Sequence, residues 1–530
     1  MASLRSGTAI FIDPGVRGVG VDPDTLVTSL HCLGIGHTML VPGMARHPEL
    51  LTRAVKTSGG RTAVVVTAEF DQPPIAELRT WGAAGGLAPL GVQVVALDIL
   101  QARRSATERS AYAVRMVRSA MAEVGATYTA KAGRRPVGAS LSRRGLLRAC
   151  TTTWVPVVEV DAGACLGALR CRRCIEACPE DALRIPQDVL SSEPVVDVTG
   201  CGACSRCLDV CPTGALSLAG HDTGTIAQRL RALIQGGDGA AAPAVIISCH
   251  RAAEPVHRMG QRGGLPGWLV LELSCLGGVG SAWHLAALAT GARTVQILPC
   301  ASCRDRASLT KELDFTRNLL AALGDAGAVQ RVGVLPEGGL RLRQAILAAE
   351  GLTALVDGTG VDRTPAQGAV QSSARVAAWA VGELQRALGT PIQLDGRPVV
   401  IRGEGSPLGV LVAAEGCTAC GVCARSCPTL ALSMVAGSGS TELILDPAAC
   451  TGCGVCVETC PQHVLDVLPG VDLSLLAGGC VPITRAALTV CLGCGESIPA
   501  LPADANLTTL PAGLVGRCPR CRQTALVASF

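Results

Sequence analysis

Eight cysteines between Cys417 and Cys460 fall into two copies of one pattern, CxxCxxCxxxCP, and few spacings constrain a polypeptide more. The first copy is Cys417, Cys420, Cys423 and Cys427 before Pro428; the second is Cys450, Cys453, Cys456 and Cys460 before Pro461. Three thiolates at two-residue gaps fold round one face of a cubane. The fourth leaves on a proline-started turn and reaches the neighbouring cluster where two clusters share a fold. The spacing therefore predicts two 4Fe-4S clusters, one on Cys417, Cys420, Cys423 and Cys460, the other on Cys450, Cys453, Cys456 and Cys427. Zinc explains the pattern poorly, because zinc sites use two spaced pairs and need no fourfold run.

The pattern recurs earlier as Cys201, Cys204, Cys207 and Cys211 before Pro212, preceded by Cys171, Cys174 and Cys178 before Pro179. Ala168 stands where the first cysteine is expected, and Cys165 is the nearest substitute. In both regions 22 residues separate the two motifs, an internal repeat. Crossed ligation then groups Cys165, Cys171 and Cys174 with Cys211, and Cys201, Cys204 and Cys207 with Cys178, for four 4Fe-4S clusters in all.

At 530 residues the chain is too long for one core. Its 27 cysteines mean either disulfides or metal. The N-terminus MASLRSGTAIFIDPG has no apolar signal core, and no run of about 18 uncharged apolar residues exists to span a bilayer. A reducing cytoplasm is expected, where clustered CxxC spacings bind metal. SRRGLLR, from Ser142 to Arg148, resembles a twin-arginine signal but lies deep in the chain, and with Arg134 and Arg135 it reads as a basic linker. Only 2% of residues are aromatic and the net charge is +4, so a nucleic-acid partner is not expected.

Between the two cysteine-rich modules, short β runs alternate with helix-like runs, which predicts a parallel sheet. The runs Ala244 to Ser248, Leu269 to Ser274 and Val295 to Pro299 are each followed at once by a cysteine: Cys249, Cys275 and Cys300. Open α/β sheets gather ligands at these carboxyl ends. With Cys303, the partner of Cys300 in a CxxC pair, four thiolates suffice for a 2Fe-2S cluster, with four-thiolate zinc as the rival. His250, His257 and His284 are alternative ligands, though lone histidines are more often surface or capped groups.

The stretch from Val245 to about Pro336, with CHRAAE, LELSCLGGVG and QILPCASC, resembles the small iron-sulfur protein of methyl viologen-reducing hydrogenase, which implies a 2Fe-2S link to heterodisulfide reductase. The first 125 residues, with RTAVVVTAEF, QVVALDIL and ATERSAYAVRMVRSAM, resemble the N-terminal domain of the flavin-bearing polyferredoxin of heterodisulfide reductase. That family places thiols at strand ends where this chain has Asp13, Val41 and Ala68, so a clusterless scaffold or docking domain is expected. The same polyferredoxin carries a flavin fingerprint. GVRGVG, from Gly15 to Gly20, and GGVGSAW, from Gly277 to Trp283, have glycines in the wrong order or context and read as turns. No flavin is expected on this chain, and any electron-pair splitting falls to a partner.

At the C-terminus Cys491 and Cys494 are matched by Cys518 and Cys521 across 23 residues. This is zinc-ribbon spacing, with a single rubredoxin-like iron as the alternative. Cys32, Cys150 and Cys480 read as small buried apolar residues. The expected architecture is multidomain α/β plus α+β. Two small parallel-sheet domains (1–130 and 240–350) are joined by a basic linker (131–158) and a helical linker (351–405) to two ferredoxin-like 2x(4Fe-4S) modules (159–220 and 406–468), with a zinc ribbon at 485–530. The expected role is a non-catalytic electron-transfer subunit between a flavoprotein, a hydrogenase or another dehydrogenase and a terminal reductase. A redox regulator acting through the ribbon and a stand-alone reductase using the 2Fe-2S site are the competing readings.

Overall fold

Four runs rich in β-branched residues, Thr8–Ile12, Thr38–Leu40, Thr62–Thr67 and Val92–Ala96, pair in parallel in the order second, first, third, fourth. The first and third are buried at every position, as expected of strands covered on both faces. Period-two alternation assigns the faces. Ile10, Ile12, Val64 and Val66 pack with Leu26, Leu30 and Tyr112 of the helices Pro23–Cys32 and Ala106–Thr127. Ala9, Phe11, Ala63 and Val65 pack with Leu51, Val55 and Leu78 of the helices Leu50–Ser58 and Ile75–Gly85. Asp22 starts the helix Pro23–Cys32 by accepting from the Thr25 amide at 3.0 Å, with proline in the first turn. The computed structural model describes residues 7–72, 74–101, 105–127, 132–136, 152–168, 170–186, 193–235, 242–265, 267–300, 306–336, 338–349, 351–356, 372–394, 397–437, 439–500 and 511–527.

A second sheet repeats the first. Ala244–Cys249, Trp268–Leu273, Thr294–Leu298 and Val332–Val334 are again all parallel, in the same order of second, first, third, fourth. Cys249 is the last residue of its strand, while Cys275 and Cys300 each stand two residues beyond theirs. One apolar core runs from the first sheet through the helices Ala106–Thr127 and Thr223–Ile234 into the second, taking in Ile226, Leu230, Ile246 and Trp268. It also takes in Ala374, Ala377, Ala380, Val381 and Leu384 of the helix Ser373–Leu388, so the segment expected to be a linker supplies a core helix.

The two sheets meet at their carboxyl ends. His257, on the helix His250–Gln261, has Nδ1 2.6 Å from Asp98 Oδ1 and Nε2 2.7 Å from Glu272 Oε1, and Phe70 stacks on its ring at 4.2 Å between centroids. Gln261 Nε2 donates to Asp98 Oδ2 at 3.0 Å. Close approach here requires glycine: a Cβ on Gly260 would stand 2.7 Å from the Ile99 Cα. Replacing Gly260 with valine is expected to lower stability by about 1–3 kcal/mol through overpacking. A Gly260→Val protein with an unchanged denaturation midpoint would show that the two sheets are not held this closely.

Each cysteine-rich module is built alike. In the first, Glu159–Val160 pairs antiparallel with Leu216–Ser217, and Leu183–Arg184 with Val195–Val196. In the second, Gly409–Ala413 pairs antiparallel with Leu465–Asp472, and Leu432–Ala436 with Ser440–Leu445. Ser440–Leu445 also pairs with Val481–Val490, which continues to Ser497–Pro499, so the C-terminal knuckles are attached to the second module by backbone hydrogen bonds.

Three expectations change. Cys32 and Cys480 are exposed, not buried. Cys32 ends a helix whose buried positions are Pro23, Leu26 and Leu30, which puts it off the apolar stripe. His257 and His284 are buried rather than at the surface. Ala132–Pro136 and Thr152–Pro156, in the expected basic linker, pair as antiparallel strands. Cys150, Arg143, Arg144 and Arg148 lie outside the described residues. Among the described residues, no helix is long and apolar enough to cross a membrane.

Candidate metal centres

The cysteine loops are shaped by a repeated backbone device. In three motifs the residues on either side of the central cysteine take left-handed conformations: Ala203 and Ser205 (φ 51° and 62°), Ala419 and Gly421 (47° and 68°), and Gly452 and Gly454 (67° and 82°). This curls each loop so that its three cysteines face one centre. The motif with Ala168 in place of cysteine departs from this, with Gly167 at φ 77° carrying the wider turn from Cys165. A second device closes all four motifs. The third residue after each Cys-Pro cysteine is left-handed: Asp181 (49°), Gly214 (66°), Leu430 (55°) and His463 (52°).

These loops bring the cysteines into four groups. Burial pushes Cys174 up to about 11, and the charges of Cys211, Cys171 and Cys165 add to it. Cys204, raised mainly by burial, has Cys178 and Cys201 as its charged neighbours. Cys423 is pushed up to about 11 by burial, with Cys420, Cys417 and Cys460 beside it. Cys456 reaches about 12, by burial and by Cys450, Cys453 and Cys427. One hollow is lined by Cys417, Cys420, Cys423 and Cys460, and another by Cys178, Cys201, Cys204 and Cys207. Buried thiolates that repel one another need a positive core to remain ionised together, and an iron-sulfide cubane supplies one. The donor sets fit that group.

Hydrogen bonds to sulfur complete each set. Backbone N–H groups donate to Cys165 from Gly167 at 3.5 Å, to Cys178 from Ala182 at 3.3 Å, and to Cys417 from Ala419 at 3.5 Å. The hydroxyls of Thr213 and Thr429 lie 3.6 and 3.7 Å from Cys211 Sγ and Cys427 Sγ. Sequence reading missed these threonines, although the tripeptide Cys-Pro-Thr occurs in both modules and marks them. A hydroxyl that donates to sulfur favours the more negative, reduced state. Thr429→Val is therefore expected to lower the potential of one centre and leave the others in place, as read by EPR-monitored redox titration; an unaltered titration would remove the hydroxyl from that role.

Two stretches of the chain, residues 148–215 and 416–464, match the model of a 4Fe-4S dicluster domain. Each match spans one pair of motifs, so the chain carries two iron-sulfur dicluster domains of ferredoxin type, which suggests an electron-transfer role. No curated protein matches it.

Outside the dicluster domains, Cys249, Cys275 and Cys300 all lie at the carboxyl edge of the second sheet. Cys249 and Cys300 follow its first and third strands, which are adjacent at the point where strand order reverses. Cys249 and Cys300 are buried, and Cys249 Sγ is 3.8 Å from the Ser274 carbonyl oxygen. Cys303 lies outside the described residues. Of the histidines, His250 and His257 are engaged with Glu272, and His284 Nδ1 lies 3.5 Å from the Thr316 hydroxyl.

The C-terminal knuckles form a tighter group. The sulfurs of Cys491, Cys494, Cys518 and Cys521 all lie within 4.8 Å of one another, and Cys494 and Cys518 are 3.7 Å apart. A tetrahedral ion with metal–sulfur bonds of about 2.3 Å spaces its ligands by about 3.8 Å. The Cys518 amide donates to Cys491 Sγ at 3.1 Å and the Gly493 amide at 3.4 Å, and these bonds bring Cys491 down to about 6. Cys521 is pushed up to about 12 by sharing hydrogen bonds with Cys518 and Cys494. Four sulfurs converging at this spacing suit a single tetrahedral ion.

Proposed function

We propose that the chain is a relay component of a heterodisulfide-reductase-like or hydrogenase-like complex, passing single electrons between a flavoprotein or hydrogenase and a terminal reductase. The observation that carries this reading is the gathering of four cysteine groups, each drawn crosswise from two motifs, into two abutting modules. In this reading Cys165, Cys171, Cys174 and Cys211 hold one 4Fe-4S cluster, and Cys178, Cys201, Cys204 and Cys207 a second. Cys417, Cys420, Cys423 and Cys460 hold a third, and Cys427, Cys450, Cys453 and Cys456 a fourth. Such clusters exchange one electron with little change in geometry. The chain's own contribution is to fix each thiolate, to donate backbone hydrogen bonds to sulfur, and to bury each group at least in part.

Cys249, Cys275, Cys300 and Cys303 are assigned to a 2Fe-2S centre, in keeping with the resemblance to the small iron-sulfur protein of the hydrogenase. The knuckles are assigned to structural zinc, which stabilises small domains that lack a sizeable apolar core. Anaerobically purified protein is expected to contain iron, acid-labile sulfide and zinc, and to bring down a flavoprotein and a catalytic oxidoreductase with it. Colourless protein that contains zinc alone would end the proposal. Removal of zinc with a mild chelator is expected to unfold residues 485–530 and leave the brown chromophore unchanged; bleaching in step with zinc loss would count against a separate structural ion.

A further inference from the structure

We propose that the thiol-bearing edge of the second sheet and the two modules form one unbranched line of electron-transfer sites. The line begins at Cys249, Cys275 and Cys300, passes to the Cys178, Cys201, Cys204 and Cys207 group, and then to the Cys165, Cys171, Cys174 and Cys211 group. It crosses there to the Cys427, Cys450, Cys453 and Cys456 group of the second module and ends at Cys417, Cys420, Cys423 and Cys460. The proposal rests on the preceding reading of these groups as cluster ligands. Each transfer moves one electron, oxidising the donor site and reducing the acceptor site by one, with no bond made or broken; a low-potential one-electron donor protein supplies one end and a one-electron acceptor protein drains the other.

Four joints define the order. Gly277 and Gly278, just past Cys275, lie directly on the Cys204 loop: a Cβ on Gly277 would be 2.5 Å from the Cys204 carbonyl oxygen, and one on Gly278 3.0 Å from that of Ser205. Backbones meet this closely only through glycine. Within the first module, Cys174 and Cys211 of one group pack against the buried cluster that includes Cys201 and Cys207 of the other. The modules touch where Thr451 Oγ1 donates to the Pro212 carbonyl at 2.9 Å. Pro212 follows Cys211 and Thr451 follows Cys450, so this contact joins one specific group in each module. Within the second module, Cys423 and Cys460 of one group and Cys456 of the other share one buried cluster, and the hydroxyls of Ser426 and Thr459, just before Cys427 and Cys460, are 3.0 Å apart. The far end reaches the surface at Cys420, which is exposed.

The entry to the second module is fastened to the helices Ser281–Ala289 and Arg306–Ala322. Ser281 N donates to Glu312 at 2.7 Å, and Ser281 Oγ donates to the Gly405 carbonyl at 2.6 Å. Lys311 pairs with Glu404 at 2.5 Å, at the entry to the second module.

Pulsed EPR on full-length protein reduced with dithionite tests the order through magnetic interaction between centres. Cys204→Ala with Cys420→Ala leaves the two inner groups intact, and an interaction between modules is expected to persist. Cys174→Ala with Cys456→Ala leaves only the outer groups, and the interaction is expected to vanish. Outer groups that interact while inner ones do not would overturn the order. Should either double variant fail to fold, Thr451→Trp in the otherwise intact chain serves in its place. It is expected to keep the full iron content and weaken the inter-module interaction, and an unweakened interaction would overturn the proposal. Iron and sulfide counts on the unmodified chain separate the two failures: absent clusters sink the functional reading, whereas a full complement with the wrong couplings sinks only this order.

Discussion

Cys460→Ser is expected to remove the centre at the first motif of its module, although Cys460 lies in the second. The structure sets Cys460 beside Cys417, Cys420 and Cys423, all of which lie in the first motif far upstream in the chain. The cavity lined by those three cysteines is closed by Cys460 and Pro461. Losing one of four thiolates exposes an iron to solvent, and the expected loss is about four irons per chain or conversion to a three-iron form. The reciprocal change, Cys427→Ser, is expected to act on the group of Cys450, Cys453 and Cys456. EPR signatures assigned by cysteine variants in each motif distinguish the outcomes. If Cys460→Ser instead abolishes the signal that depends on Cys453, ligation is not crossed.

His257→Leu is expected to cost about 3–5 kcal/mol, the usual penalty for removing one partner from a buried charged pair. Asp98 is buried and would lose its imidazolium, while Glu272, about a quarter exposed, would keep His250. The pH dependence has a definite sign. Burial works against the charged ring, but hydrogen bonds to Asp98 and Glu272 prevail and raise His257 from 6.5 to about 9. Its stabilisation is therefore complete below pH 6.5 and is lost as pH rises through about 9. Glu272 is opposed by burial yet held down from 4.5 to about 2 by His250 and His257, so its share is complete above pH 4.5 and is lost as pH falls through about 2. Chemical denaturation is expected to show stability falling as pH rises from 6.5 through about 9, and this alkaline fall is expected to be smaller in His257→Leu, with His250, also raised by its hydrogen bond to Glu272, keeping a part of it. A variant with the same alkaline limb as the parent would place that titration elsewhere.

What the sequence disclosed was local. The CxxCxxCxxxCP runs lie within a dozen residues each, so their chemistry is written in the spacing, and the β runs ending near Cys249, Cys275 and Cys300 carry their own β-branched signature. Nothing local records that both sheets share the strand order second, first, third, fourth, because neighbours in a parallel sheet are chosen across long crossovers. The clamp of Asp98, His257 and Glu272 joins residues 159 positions apart and was equally hidden. Residues 373–388 read as part of a connector because small alanines left their apolar face inconspicuous; tertiary packing makes it a core helix. Leu430 has no propensity for left-handed backbone, so the turn it occupies was invisible without the fold.

Those turns bear on how the protein is maintained. A side chain such as Leu430 or His463 held at positive φ costs of order 1–3 kcal/mol, which the surroundings must over-determine. Once a cysteine next to such a corner lets go of its inorganic core, the constraint opposing that cost is gone and the backbone relaxes first at Cys-Pro positions. Leu430 is already 80% exposed, so relaxation there would leave it in an exposed, locally unfolded segment, where limited proteolysis is expected to cut first. The Cys-Pro corners are thus the positions where the backbone stores strain that the bound group would have to hold.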